Sequence, residues 1–169
     1  MNGIYLATAG RIHQELSELD RVVERIGQIW SFRQHEELLT EPDYLDYLGY
    51  LVDAVALNLH SVYAGLERVL ELIADTIDQA KPSGPMWHRD LLQQMTAEIA
   101  GVRPAVLSLE ARNGLDRYRG FRHVVRNIYA FSLDAEQVEL LVEHLPAVYQ
   151  QVRAELEQFA NFLEQIARR

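Results

Sequence analysis

The sequence contains no cysteine and only one lysine in 169 residues. Without cysteine the chain has no disulfide, no thiol nucleophile and no zinc site built on thiolates. None of the six histidines follows a glutamate by three positions, which argues against a ferritin-like di-iron centre. A Gly-rich phosphate loop and a nucleophile elbow are also missing. The sequence therefore predicts neither a metal site nor a cofactor of the usual kinds.

Long apolar runs and an excess of positive charge are missing as well. No run reaches the roughly 18 residues that a membrane span needs. The N-terminal MNGIYLATAGRIHQ lacks the basic start and apolar block of a signal peptide. We therefore expect a cytoplasmic protein that does not enter a membrane. A net charge of -9 and a pI near 5.1 disfavour broad nonspecific nucleic-acid binding, but they permit a local basic groove.

Apolar residues recur at helical spacing, and no segment alternates with the period of two that is typical of a strand. The pattern predicts helices over about 4–32, 43–80, 88–100, 108–131 and 135–167. Thr40 and Asp134 are predicted N-caps, and Gly101 should end the short helix. Pro146 should kink or split the last helix. The length suits one domain, 1–169, so we expect an all-α, mostly antiparallel bundle of four to five helices.

The second predicted helix carries more apolar surface than one small bundle needs. Its predicted inward stripe runs from Leu45 to Ile77 at helical spacing. Tyr44, Tyr47 and Tyr50, with Leu48 and Leu51, crowd several further faces of the same helix. This surplus either joins two copies of the chain in a homodimer or is simply core.

Residues 117–131, RYRGFRHVVRNIYAF, are the most informative stretch because a helix sorts them into two faces. An arc of about 160° holds the polar residues, and the opposite side holds the apolar ones. The polar set is Arg119, Arg122, His123, Arg126, Asn127 and Tyr129, and the apolar set is Phe121, Val124, Val125, Ile128 and Phe131. A helix buries its apolar stripe, so we expect the polar set to share one exposed surface suited to a phosphodiester.

A solvated helix face that happens to be basic is the simpler interpretation, because charge runs usually are solvated. The kind of cation argues for recognition instead. Five of the fifteen arginines lie within fifteen residues: Arg112, Arg117, Arg119, Arg122 and Arg126. Arginine offers a planar fork of donors that matches phosphate or carboxylate, whereas lysine would serve solubility equally well.

At this helix the sequence resembles the HEPN superfamily, and within it the HepT-like ribonuclease toxins. Their motif is Arg, four residues, His, one residue, Tyr, and Arg122 and Tyr129 fit that register. The segments LHSVYAGLERVLE (59–71) and WHRDLLQQM (87–95) also look like helices of this family. The resemblance implies a helical bundle that dimerises and a metal-independent endoribonuclease, with tRNA among the candidate substrates.

Asn127 stands where the family motif has histidine. His123 lies one turn earlier on the same face and could supply the imidazole. Arg117 and His123 also keep a looser Arg…His pair with five residues between them. Alternatively, the Asn127 amide only positions the substrate, and cleavage is weak or lost.

Metal-free RNA cleavage needs a base for the ribose 2′-hydroxyl, a donor for the charged phosphorane and an acid for the leaving 5′-oxygen. The resemblance implies that Arg122 stabilises the phosphorane, His123 transfers protons and Asn127 orients the scissile phosphate. Tyr129 would hydrogen-bond the substrate. Three further arginines would bind RNA at the flanking phosphates, namely Arg117, Arg119 and Arg126.

The resemblance also implies a protein partner. HepT-like toxins are neutralised by a small nucleotidyltransferase antitoxin that attaches AMP to the motif tyrosine, which is Tyr129 in this chain. Each added phosphate would occupy the arginine face and repel RNA. A tyrosine packed at the helix end is the alternative.

His60, Tyr63 and Glu67 lie at steps of three and four on the second long helix and therefore share a face. They could line the same cleft, with Glu67 supporting the site by pairing with one of the arginines. A polar stripe that joins two helices is the simpler interpretation. Trp87 and His88 could cap a pocket, although packing is favoured.

The leading hypothesis is a ribonuclease toxin held in check by a nucleotidyltransferase. The first alternative is a catalytically inactive HEPN protein that serves as a nucleotide-binding, RNA-binding or adaptor subunit of the nucleotidyltransferase. The second is a helical scaffold that binds another protein through its aromatic surface. The first two differ in turnover, and the scaffold predicts that mutating the arginines changes nothing.

Overall fold

The computed structural model describes residues 2–34, 41–127 and 133–168. Five α-helices account for most of them: α1 (Asn2–Ser31), α2 (Glu41–Thr76), α3 (Trp87–Met95), α4 (Leu109–Asn127) and α5 (Ala135–Ala167). The helices pack on one another around a single apolar core, which confirms the predicted all-α bundle. None of the described helices combines the length and apolar character needed to span a bilayer.

The core follows most of the predicted stripe of α2, but not its start. On α1, Ile12, Leu16 and Leu19 are buried at helical spacing. The α2 stripe is buried from Val52 to Ile77. Leu45, predicted at its start, is 64% exposed instead. The first turn of α2 therefore extends beyond the apolar surface that the other helices offer.

The last helix tests the capping residue and the helix-breaking proline that were predicted from the sequence. The Asp134 carboxylate accepts a hydrogen bond from the backbone N–H of Glu136 at 3.0 Å, which confirms the predicted N-cap of α5. Thr40 lies outside the described residues. Pro146 was predicted to kink or split the last helix, and it does not split it, because α5 is one helix with the proline inside it. Its inward face is buried on both sides of Pro146, and that packing holds the helix together.

The short helix α3 ends at Met95, five residues before the predicted end. The Met95 carbonyl accepts hydrogen bonds from the backbone N–H groups of Val106 and Leu107, at 2.9 and 3.0 Å. Gly101, with φ of 75°, lies in a tight turn between these residues instead of ending the helix. The chain therefore folds back on α3 directly before α4 begins.

A buried ion pair fixes this returning segment against α2. The guanidinium of Arg103 donates to both carboxylate oxygens of Asp78, at 2.5 and 2.7 Å, and both side chains are fully buried. The same guanidinium donates to the carbonyls of Ala97 and Pro104 at 2.8 and 3.0 Å. The oxygens that accept from Arg103 thus belong to the segments that flank it in the chain and to Asp78 after α2. The ion pair therefore holds α3 and the start of α4 in one arrangement against α2.

Candidate functional site

The buried apolar residues of α4 determine which face of this helix points into the bundle. Ala111, Leu115 and Tyr118 are buried and follow one another at steps of four and three. The next step of four reaches Arg122, so this arginine falls on the inward edge of the helix. Only 17% of its side chain is exposed. Arg122 is therefore mostly buried, whereas His123 and Arg126 are exposed, and only part of the Arg122 side chain reaches the surface that these residues share.

Arg122 meets two polar side chains from two other helices. One terminal nitrogen, Nη2, lies 3.5 Å from the carboxylate of Glu67 on α2. The other, Nη1, lies 3.1 Å from Nε2 of His88, at the start of α3. His88 Nδ1 lies in turn 2.5 Å from Glu67. Glu67 is only 5% exposed and His88 22%. These three residues form a closed arrangement, here called the Glu67–His88–Arg122 cluster.

Hydrogen-bond chemistry fixes the proton on the His88 ring. A guanidinium can only donate, so Nε2 of His88 must accept from Arg122. The ring proton is therefore on Nδ1, which donates to the Glu67 carboxylate. The imidazole is neutral and held in one tautomer. The single negative charge of Glu67 balances the single positive charge of Arg122.

Tyr63 supports the carboxylate from within α2. Burial, the negative charge of Glu67 and a hydrogen bond to that carboxylate all raise the pKa of Tyr63 above its usual range. Its hydroxyl stays protonated and donates to Glu67. The carboxylate thus holds Tyr63, His88 and Arg122 together, and its pairing with an arginine is the alternative that the sequence left open beside a polar stripe joining two helices.

His60 lies two turns before Glu67 on α2, near the end of α4. Burial lowers the pKa of His60, and the charges of Arg122 and Arg126 lower it further, while Glu67 opposes the effect. Its Nε2 is buried and has no hydrogen-bond partner among the described residues. The ring is therefore neutral near neutral pH.

His123 and Asn127 lie on the outer side of α4, next to each other. Successive helical residues differ by about 100°, so the neighbour of an inward Arg122 faces outward. The Asn127 amide donates to the backbone carbonyl of His123 at 2.7 Å, and its nitrogen lies 3.3 Å from His123 Nδ1. Both residues are exposed. Tyr129 lies outside the described residues.

The flanking arginines differ in their exposure and in whether a carboxylate partly neutralises their charge. Arg117 and Arg126 are exposed. Arg119 is half-buried and donates to the Asp116 carboxylate at 2.7 Å. That hydrogen bond raises the pKa of Arg119 and partly neutralises its field. Arg117 and Arg126 are therefore better placed than Arg119 to meet an incoming anion.

His88 is the residue that sequence reasoning missed. It lies 34 positions before Arg122, on a different helix, and no short spacing links the two. Only the fold of the segment between α3 and α4 brings them together. The sequence had favoured simple packing for Trp87 and His88, and the ring of Trp87 does stack on His88, with centroids 3.6 Å apart.

Two grooves of the surface lie away from the cluster. A groove of about 900 Å³ runs between Pro104–Ser108 and the outer face of α5 around Phe162. Another, of about 370 Å³, lies beside Leu48 and Tyr50 on α2. No cluster residue lines either groove. Across the residues that the structure describes, no three histidine or carboxylate side chains gather to hold a metal ion.

Comparison with known families accounts for most of this chain. A family model described as HepT-like protein matches residues 54–163, from within α2 to near the end of α5. The matched range contains Glu67, His88 and Arg122. Neither the curated proteins nor the solved structures gave a match. Because the matched range covers well over half of the sequence, the chain belongs to the HepT-like protein family.

Proposed function

We propose that the protein is a metal-independent endoribonuclease toxin of the HEPN type, with its site at Arg122. One observation carries the proposal. Arg122, inside the range that matches the family, is fixed by Glu67 and His88 while part of its side chain stays exposed. A guanidinium held in place before the substrate arrives loses little freedom when it binds a phosphorane, so its charge acts fully in the transition state.

The other residues of α4 complete the proposed site. Arg126 and Arg117 contribute exposed charge for the flanking phosphates, and Arg119 contributes a weaker, partly paired charge. His123 transfers a proton, and Asn127 orients the scissile phosphate. Tyr129 hydrogen-bonds the substrate. RNA, with tRNA as the first candidate, matches this set because each nucleotide presents a phosphate beside a 2′-hydroxyl.

The test is cleavage of purified total tRNA in EDTA. We expect wild type to cleave and Arg122→Lys to cleave at least about 100-fold more slowly, because lysine keeps the charge beside Glu67 but loses the forked donors. Arg68→Ala, which removes an exposed arginine on another face of α2, should match wild type. Circular dichroism checks that each variant is folded. Full cleavage by folded Arg122→Lys would remove Arg122 from this role.

An inactive, RNA-binding subunit is the second candidate, and Asn127 is the observation that favours it. The Asn127 amide has no acid–base chemistry, and it already donates to its own helix at His123. This candidate predicts that wild type binds tRNA without cleaving it. Asn127→His would then gain cleavage in EDTA, because it restores the motif histidine.

The proposal includes a nucleotidyltransferase antitoxin that attaches AMP to Tyr129, and a homodimer in the cytoplasm. The family supports the antitoxin partner, and the exposed arginines supply the physical reason, since an added phosphate would occupy them. Intact mass after incubation with the partner and ATP should rise by one or more AMP groups in wild type and not in Tyr129→Phe. A rise that persists in Tyr129→Phe would place the acceptor elsewhere.

A further inference from the structure

Metal-free cleavage of RNA requires two proton transfers, and α4 offers one exposed imidazole for them. Asn127 cannot take up a proton, and the exposed ring of His123 has the Asn127 amide beside it. A base for the 2′-hydroxyl must lie beside the group that holds the phosphate. The imidazole nitrogen found at the Arg122 guanidinium belongs to α3.

We propose that His88 is the general base of this site and that Glu67 is the residue that positions it. This inference rests on the proposed ribonuclease function and adds to it a catalytic residue from outside the motif helix. His123 is then left to serve the leaving group. The substrate is a ribose 2′-hydroxyl with its adjacent phosphodiester.

The geometry of His88 is that of an imidazole oriented by a carboxylate. Nδ1 donates to Glu67 at 2.5 Å, which fixes the ring and leaves the lone pair of Nε2 directed at Arg122. Glu67 is itself held by Tyr63 and is almost fully buried. A buried carboxylate at Nδ1 stabilises the imidazolium that forms when Nε2 takes up a proton. His88 remains 22% exposed, so solvent reaches the ring.

Substrate binding frees the nitrogen that acts. In the free protein Nε2 accepts a hydrogen bond from Arg122 Nη1 at 3.1 Å. A phosphate oxygen is a stronger acceptor than a neutral imidazole, so Arg122 turns its N–H to the phosphodiester. The Nε2 lone pair is then unoccupied next to the bound phosphate. A neighbouring 2′-hydroxyl can donate to it.

The reaction balances without any further reactant. Nε2 of His88 removes the 2′-hydroxyl proton while that oxygen forms a bond to phosphorus. The bond from phosphorus to the 5′-oxygen breaks, and the leaving oxygen takes a proton from His123 or water. The products are a 2′,3′-cyclic phosphate and a 5′-hydroxyl end. His88 afterwards returns its proton to solvent.

His60 is the competing imidazole inside the bundle, and its surroundings make it a poor base. The charges of Arg122 and Arg126 oppose protonation of His60, and its pKa is lowered. No carboxylate is hydrogen-bonded to its ring among the described residues. The charge of Arg122 acts on both rings, but only His88 has a carboxylate hydrogen-bonded to it, so of the two rings His88 is the one suited to receive a proton.

The decisive variant is His88→Asn, assayed on tRNA in EDTA from about pH 5.5 to about pH 8.5. Asparagine keeps a donor near the Nδ1 position for Glu67 and removes Nε2. We expect a loss of about 10²–10⁴-fold and no rise of the residual rate with pH in the acidic range. His13→Asn, which changes a histidine of α1 that pairs with Glu164 of α5, should behave as wild type. In Glu67→Gln the rise of the cleavage rate with pH should move to lower pH, because the carboxylate charge that stabilises the His88 imidazolium is gone.

A second measurement does not depend on turnover. Histidine ring nitrogens, labelled with ¹⁵N, are observed by NMR while a 2′-O-methylated RNA, which cannot be cleaved, is added. The proposal expects the Nε2 signal of His88 to shift and the signals of His13 on α1 to stay. An unchanged His88 signal in the presence of bound RNA overturns the proposal.

The outcomes separate this inference from the proposed function. Wild-type rates in His88→Asn, together with lost activity in Arg122→Lys, would overturn His88 as base and leave the ribonuclease standing. If His88→Asn cleaves slowly but its rate still rises with pH, His88 has a structural role and is not the base. Absence of cleavage by wild type would overturn the ribonuclease, and His88 as its base with it.

Discussion

At the scale of single residues, the neighbours of a charged group decide what that group can do. Arg126 and Arg122 are four positions apart on α4, yet one faces water and the other faces Glu67 and His88. An exposed arginine is screened by solvent and gives general attraction to an anion. An arginine held by fixed partners gives a defined direction to its donors. The two residues therefore suit different tasks in the proposed site.

His60 gives a test of this electrostatic description through stability. Its pKa in the fold lies below the unfolded value of 6.5, so the unfolded chain binds more protons as the pH falls through that value. The contribution of a neutral His60 is complete above this value and is lost below it. We expect the melting temperature of wild type to fall more between about pH 7.5 and about pH 5.5 than that of His60→Gln. Equal falls in the two proteins would show that His60 is not perturbed.

The sequence identified part of the site and missed part for a physical reason. Arg122 and Glu67 were found because helical periodicity and motif spacing are local properties. His88 was missed because its meeting with Arg122 depends on the fold between α3 and α4, which the buried Arg103–Asp78 pair fixes. The inward direction of Arg122 was missed because the faces of the helix were assigned from residues 117–131 alone. The buried stripe of Ala111, Leu115 and Tyr118, which leads to Arg122, was not included.

At the scale of elements, two glycines on α4 show how tightly the helices approach each other. A Cβ added at Gly114 would lie 2.9 Å from Cγ1 of Val148 on α5, whereas one at Gly120 would meet nothing within 4 Å. Valine is branched at Cβ and cannot easily turn its methyl groups away. The contact between α4 and α5 thus depends on a missing side chain at one glycine and not at the other.

This contrast predicts opposite effects of the same substitution. Gly120→Ala should raise the free energy of unfolding by about 0.5–1 kcal/mol, because alanine is the better helix former. Gly114→Ala should gain as much from propensity but lose about 1–3 kcal/mol to overpacking, so we expect a net loss. Urea unfolding measures both. Equal gains in the two variants would mean that Val148 moves aside at no cost.

Element boundaries were predictable where the signal was local. Asp134 caps α5 through its own side chain, and the sequence predicted this. The end of α3 depends on backbone hydrogen bonds to Met95 from Val106 and Leu107, which no local pattern reveals. Pro146 was predicted to kink or split the last helix, and it does not split it, because the apolar face of α5 packs on both sides of the proline. Tertiary packing decided both cases.

At the scale of the whole molecule, the proposed homodimer concerns the outer face of α2. Tyr50 and Leu57 lie seven positions apart, nearly two turns, so they share a face, and they are 71% and 63% exposed. A symmetric dimer joins one patch to itself, so a charge placed there repels its own copy. We expect sedimentation equilibrium to give a dimer for wild type and a monomer for Tyr50→Glu combined with Leu57→Glu. A dimer in both would place the interface elsewhere.

The first helix lies entirely outside the range that matches the family, yet Ile12, Leu16 and Leu19 are part of the same core. Tyr149 of α5 donates to the backbone carbonyl of Leu16 at 3.2 Å and to the carboxylate of Asp20 at 2.8 Å. In a protein trimmed to residues 54–163, the apolar faces of α2 and α5 would be exposed to water. The Tyr149 hydroxyl would also lose these acceptors. We therefore expect residues 54–163 alone to be less stable than the full chain, because α1 covers the apolar faces that this portion would expose.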